Sequence, residues 1–322
     1  MTVHVYRWDL DKTYLETDFD SVRSLVRTAL EPAVAKRAVP GARALLGALC
    51  SRPENRIAIL SGSPTQMRRV LSEKLSLDGI RFDELKLKDN LGNLKRGRVR
   101  ALREQVGYKL PALLNGRYGV EDGALEVLFG DDAEVDALVY AVYADVLAGR
   151  LGTIELRRFM VAAGAYEDQV ERAVAAQERL TKVDAVERIF IHLDRGLPVS
   201  RFHALGQRVV PIQSWFQAAL VLAAVGQLEP VQVGAVAGDV MAGADMGAAH
   251  LANLAQDVVR RGHVASDQVL SLVSTCPAFE GALEEEITKR LIILDKTVSR
   301  LVPFAGGLPD YVGLVKSWAH RR

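Results

Sequence analysis

Two carboxylates, Asp9 and Asp11, follow a short β-prone run, His4-Val5-Tyr6-Arg7-Trp8, and a single residue separates them. In an extended chain that spacing points both side chains to the same side. Three companions come later. The apolar run Ile57-Ala58-Ile59-Leu60 leads into Ser61-Gly62-Ser63-Pro64, Lys109 stands ahead of Leu110-Pro111-Ala112-Leu113-Leu114, and Val127-Leu128-Phe129 leads into Gly130-Asp131-Asp132-Ala133-Glu134-Val135-Asp136. Three of the four stretches sit where a strand stops, and the carboxyl rim of an open parallel sheet is where ligands bind. Singly, each is ordinary: Asp-x-Asp after a strand is a turn or cap, the Ser61 and Asp131 stretches are strand-ending turns, and a lone lysine carries no signal. Four unrelated turns have no reason to fall in the order carboxylates, hydroxyl, lysine, carboxylates. Those residue types suit work on an anion. Carboxylates can attack, exchange protons or hold a hard cation, while a hydroxyl and an ammonium neutralise the anion's oxygens.

The four stretches resemble the four motifs of the haloacid dehalogenase (HAD) superfamily of aspartate-nucleophile phosphatases. The resemblance implies that Asp9 is the nucleophile, forming an aspartyl-phosphate, and that Asp11 is the general acid and base. It implies that Asp9, Asp131 and Asp136, with the backbone carbonyl of Asp11, hold Mg²⁺, since clustered carboxylates facing a phosphate need a cation between them. Lys109 would neutralise further charge and Ser61 would donate to a phosphate oxygen. Thr13, Gly62 and Ser63 complete the substrate-binding set.

A narrower likeness is to the phosphatidate phosphatase catalytic domains of the yeast actin-patch type. It is carried by Trp8 to Thr13, Leu60 to Pro64, Tyr108 to Leu114, Gly130 to Asp136 with Tyr140, Ile189 to Leu193, Val209 to Ile212 and Trp215 to Ala219. Lys12 stands where that family usually has Asp, Asp132 and Glu134 stand in a loop usually richer in Ser, Gly and Gln, and residues near 145–185 look inserted. The departures leave the chemistry intact and weaken the case for a lipid substrate.

Lys109 has rivals in Lys86, Lys88 and Lys95. Lys109 fits best, because Leu110-Pro111-Ala112 reads as a helix with proline in its first turn and the acidic strand follows one short helix later; Lys95 is the runner-up. The stretch Lys86, Lys88, Lys95, Arg96, Arg98, Arg100 and Arg103 reads either as a solvated helix face or as a basic rim that draws in phosphate-bearing substrates.

The chain has 322 residues, 49% hydrophobic and 25% charged, with a net charge of +1. It is long enough for one large or two medium domains, and too nearly neutral for a dedicated nucleic-acid binder. Cys50 and Cys276 are too few for a disulfide framework or a cysteine zinc site. The N-terminal strand leaves no room for a signal peptide and no apolar run reaches the ~18 residues of a membrane span, so a cytoplasmic setting is expected. His192 reads as a packed core residue and the other histidines lack ligand spacing. No GxSxG, GxGxxG or P-loop is present.

Alternation of strands and helices predicts an α/β, Rossmann-like parallel sheet with helices on both faces. The expected elements are strand 3–8, helices 18–37 and 41–50, strand 56–61, helix 65–75, a strand near 82–87, helices 96–105 and 110–117, strand 126–130, helices 136–147 and 155–179, and strand 189–193. A core over 1–229 with a helical insertion near 145–185 would be followed by an all-helical C-terminal domain, 230–322. The interval between Asp11 and Ser61 is too short to expect a large cap and that between Pro64 and Lys109 is modest, so an open site suited to a bulky substrate is expected unless the C-terminal helices fold over it as a lid. The functional expectation is a Mg²⁺-dependent phosphomonoesterase acting on a phosphate ester, lipid or otherwise bulky. The competing expectation is a catalytically silent HAD-like scaffold whose C-terminal helices bind a partner protein.

Overall fold

The computed structural model describes residues 3–17, 31–88, 101–133, 135–297 and 307–319. Its centre is a six-stranded, all-parallel sheet of β1 (His4–Trp8), β2 (Arg56–Pro64), β3 (Glu84–Lys88), β4 (Leu125–Asp131), β5 (Val186–His192) and β6 (Val209–Ile212), in the order β3-β2-β1-β4-β5-β6. This is the doubly wound order. The chain direction across the sheet reverses between β1 and β4, which opens a crevice at their carboxyl ends.

Strand residues alternate strictly between the two faces, as period-two geometry demands. Tyr6, Trp8, Ile57, Ile59, Val127, Phe129, Phe190 and Ile212 enter one core, and Leu60, Leu128, Ile189, Ile191 and Val209 enter the other. The first core is covered by α1 (Ala42–Cys50), α2 (Arg68–Leu77) and α7 (Trp215–Ala224), and it continues through α8 (Pro230–Ala244), α9 (Ala248–Arg260), α10 (Ser266–Thr275) and α11 (Ala282–Thr297). The second is covered by α3 (Ala101–Arg117), α4 (Asp136–Leu147), α5 (Thr153–Ala162), α6 (Glu167–Glu178) and, from the far end of the chain, α12 (Tyr311–Ala319). Helices after residue 229 therefore contribute to both layers. Among the described residues no helix is long and apolar enough to cross a membrane.

Four expected helices differ. Helices 96–105 and 110–117 are a single helix from Ala101, with Pro111 inside it, while 96–100 lie outside the described residues. Val106, Leu110, Leu113 and Leu114 form a buried i, i+4, i+7, i+8 stripe on the sheet, and burial of four such side chains at ~1.5–3 kcal/mol each exceeds the ~3 kcal/mol that an interior proline costs. Helix 155–179 is instead the pair α5 and α6, broken where Gly164 takes φ +79°, a left-handed conformation that glycine adopts without steric cost. Of helix 18–37, residues 18–30 lie outside the described set, and 31–37 hold only a short 3₁₀ turn at Ala33–Ala35 after Pro32.

Below the crevice, Glu126 on β4 is fully buried and takes Arg7 Nε at 2.6 Å, Arg7 Nη2 at 3.0 Å, Arg117 Nη1 at 3.0 Å and the Tyr143 hydroxyl at 2.8 Å. Burial alone would raise its proton affinity. The arginines and the tyrosine overcome that and hold the carboxyl below its ordinary range.

Candidate active site

The reversal point is occupied by acid. Asp9 directly follows β1, its backbone N–H donating to Phe129 O at 3.0 Å, and Asp131 ends β4 alongside it. Asp136 opens α4. These three, all buried, bring carboxylate oxygens within 4.8 Å of one another, a separation one hard cation can bridge with oxygen ligands. Lys109, fully buried on the sheet-facing side of α3, reaches Asp9 Oδ1 at 3.0 Å and Asp136 Oδ1 at 2.5 Å. It lies in the middle of its helix and not ahead of one, yet arrives at the carboxylates, because its position shares a face with Val106 and Leu113. Thr13 Oγ1 is 3.4 Å from both Asp9 Oδ2 and Asp131 Oδ2, tying the turn after β1 to the end of β4.

Asp11 is held by the β2 end. Ser61 and Ser63 donate their hydroxyls to Asp11 Oδ2 at 3.0 and 2.9 Å, and Ser61 Oγ also accepts the Ser63 N–H at 2.9 Å. Ser61 and Ser63 thus orient the second carboxylate in this structure. Gly62 lies under Gln105, whose Nε2 would stand 3.1 Å from a Cβ placed there. The chain between Asp11 and Leu15 folds back on itself, with Leu15 N donating to Leu10 O at 2.8 Å and Lys12 at φ +61°. Lysine pays a steric penalty in that left-handed region.

Other residues contribute contacts that the sequence did not assign them. Asp132 accepts the backbone N–H groups of Arg195 at 2.7 Å and Leu197 at 2.9 Å, pinning the loop after β5. Lys36 is buried on a segment bridged to the turn after β1, with Arg37 O accepting Glu16 N–H at 2.9 Å and Leu15 pairing with Ala38. Burial lowers its pKa, with Glu31 and Asp11 opposing. Tyr140 stacks its edge against Gly130 and donates to Phe129 O at 3.4 Å. Burial, then the Asp136 carboxylate, push its hydroxyl far up, so it stays protonated.

His192 is the packed residue that its apolar strand implied. Its Nδ1 is 3.3 Å from Lys12 O, its ring stacks on Trp215 at 5.5 Å, and burial keeps its pKa below the ordinary value against the pull of Lys12 O, Asp194 and Asp132. Lys86 pairs with Glu84 at 2.7 Å and Lys88 is buried; Lys95, Arg96, Arg98, Arg100 and Glu134 lie outside the described residues. Beneath the site, Phe190, Phe129, Trp8 and Trp215 form a continuous aromatic column with centroid separations of 5.4, 4.1 and 5.1 Å. Comparison with protein-family models, with curated proteins and with solved structures finds no match for this chain.

Proposed function

We propose that this protein is a Mg²⁺-dependent phosphomonoesterase of the HAD type, working through phospho-Asp9. The observation that carries the reading is the convergence of Asp9, Asp131 and Asp136 within 4.8 Å, with the Lys109 ammonium against two of them, at the switch point of a doubly wound sheet. A fold gains no stability from packing three carboxylates together, and such clusters mark functional sites. The donor set is all oxygen, which suits Mg²⁺; Asp9, Asp131 and Asp136 would hold it, with the Asp11 carbonyl as the resemblance implies. Bound there, Mg²⁺ supplies positive charge against the phosphate oxygens.

Asp9, its carboxylate turned by Lys109 at 3.0 Å, attacks phosphorus. The new O–P bond forms as the ester P–O bond breaks, and Asp11 gives its proton to the departing alkoxide. Asp11, fixed by Ser61 and Ser63, then takes a proton from the water that attacks the acyl phosphate, releasing inorganic phosphate and restoring Asp9. The test is phosphate release from a generic aryl phosphate, with and without chelator, by the native chain and by Asp9→Asn. Chelator-sensitive turnover that Asp9→Asn abolishes supports the reading. No turnover refutes it and returns the silent-scaffold alternative, while turnover that survives Asp9→Asn above a few per cent of native removes Asp9 from the nucleophile role.

A further inference from the structure

Beside the carboxylates, at the ends of β5 and β6, lies a groove of about 380 Å³. One wall comes from the segment after the nucleophile turn, Glu16, Thr17, Val39 and Pro40, and the opposite wall from the end of α8, Val240, Ala244 and Met246. The floor is His192 with Ser214. The walls are fixed in place: Gly41 N donates to Asp239 Oδ2 at 2.9 Å, and Gly243 lies so close to Pro40 that a Cβ there would sit at 3.0 Å. The groove also abuts the reaction centre. His192 touches the carbonyl of Lys12, the residue after Asp11, and pairs across the sheet with Asp131, while Thr17 Oγ1 accepts the Lys12 N–H at 3.1 Å.

Its chemistry is selective. Glu16 and Asp194 line it, and among the described residues no lysine or arginine does. Asp194 meets Lys12 at 3.5 Å, whereas Glu16 has no ion pair among the described residues. Ser214, 5% exposed, uses its oxygen to accept Phe216 N–H, and its hydroxyl proton has no acceptor among the described residues. Apolar walls, a carboxylate at the mouth and a buried hydroxyl donor at the floor complement a small organic cation with an oxygen attached. A second anionic group on the substrate would face the Glu16 carboxylate, and the nearest described cation, Lys12, is already engaged by Asp194 at 3.5 Å.

Resting on the phosphatase reading above, we infer that this groove holds the leaving-group half of the substrate and that the substrates are phosphate monoesters of amino alcohols. A volume of about 380 Å³ accepts a molecule of that size. The test pairs turnover with binding. Choline phosphate and 3-phosphoglycerate are compared by kcat/KM, and choline alone is titrated by calorimetry against the native chain, Glu16→Lys and Ala244→Trp. The expected results are a preference for choline phosphate of tenfold or more, millimolar choline binding, and loss of that binding by about tenfold on charge reversal at Glu16 and when tryptophan fills the groove. Equal use of the two esters, or choline binding that is absent or indifferent to both variants, overturns the inference. If no ester is turned over but choline binds and both variants weaken it, the groove assignment stands and the phosphatase reading falls.

Discussion

Gly130 carries a severe steric demand at the centre of the site. A Cβ added there would lie 2.5 Å from Asp136 Oδ2, 2.7 Å from Asp136 Cβ and 2.9 Å from Tyr140 Cε2. Ordinary contacts of this kind are about 3.4–4 Å, so Gly130→Ala must displace the first turn of α4 by most of an ångström or expel the Asp136 carboxylate from its place beside Lys109. Overpacking of this kind costs about 1–3 kcal/mol, which for a chain of this length lowers Tm by about 2 °C per kcal/mol. A functional penalty comes on top of it, because a ligating or reacting group misplaced by about 1 Å forfeits on the order of 10²-fold in rate. Thermal unfolding followed by circular dichroism, together with phosphate release over a Mg²⁺ titration, separates the two effects. The expected outcome is a Tm lower by about 2–6 °C, a right-shifted Mg²⁺ dependence and a rate reduced by about 10². A Gly130→Ala protein with native Tm and native Mg²⁺ dependence would refute the account of how β4 and α4 assemble the site.

Asp11→Asn should still be phosphorylated on Asp9 by a nitrophenyl phosphate, whose leaving group needs no proton, and then stall for want of a base worth roughly 10²- to 10⁴-fold; mass spectrometry of the quenched protein should find phosphate on Asp9, and an unmodified protein with native turnover of alkyl phosphates would reverse the two roles. Glu126→Gln leaves Arg7 and Arg117 buried without their counter-charge and should cost about 3–5 kcal/mol in urea unfolding, with a loss under 1 kcal/mol counting against the network. His263 is held at about 4 by burial, then by Arg261 and Arg188, against Asp257. Its folded pKa lies below the unfolded value near 6.5, so its stabilising contribution is complete above pH 6.5 and drains away as pH falls toward 4. Between pH 7 and 5 this amounts to about 2 kcal/mol, and His263→Gln should lack that part of the acid loss when the two proteins are compared by urea unfolding at both pH values.

Much of the site was legible because it sits where regular geometry ends. Strand runs that stop at Asp9 and Asp131 fix both carboxylates at the sheet's carboxyl rim, and their neighbours Trp8 and Phe129 announce the buried strands by type. Lys109 was legible for a reason the fold changes: Pro111 reads locally as a helix start, whereas the buried stripe from Val106 to Leu114 carries one helix straight through it. The break at Gly164 was masked by the apolar periodicity continuing on either side of it. Lys36, Asp132 and the α8 wall of the groove act across long sequence separations, and no local pattern signals a partner that only folding brings near. The same holds for the helices after residue 229, whose apolar faces are evident in the sequence while the sheet face they cover is not.

The aromatic column has an optical consequence. Of the three tryptophans in the chain, Trp8 directly precedes Asp9 and Trp215 packs on it at 5.1 Å, while Trp318 lies apart on the other layer against Arg201 and Phe202. Two of the three indoles thus pack against each other and sit under the carboxylate cluster, sharing His192 with the groove. The protein carries its own reporter: ligand arrival at the rim should register in the emission and near-ultraviolet dichroism of that pair, with no label attached, while Trp318 serves as an internal reference.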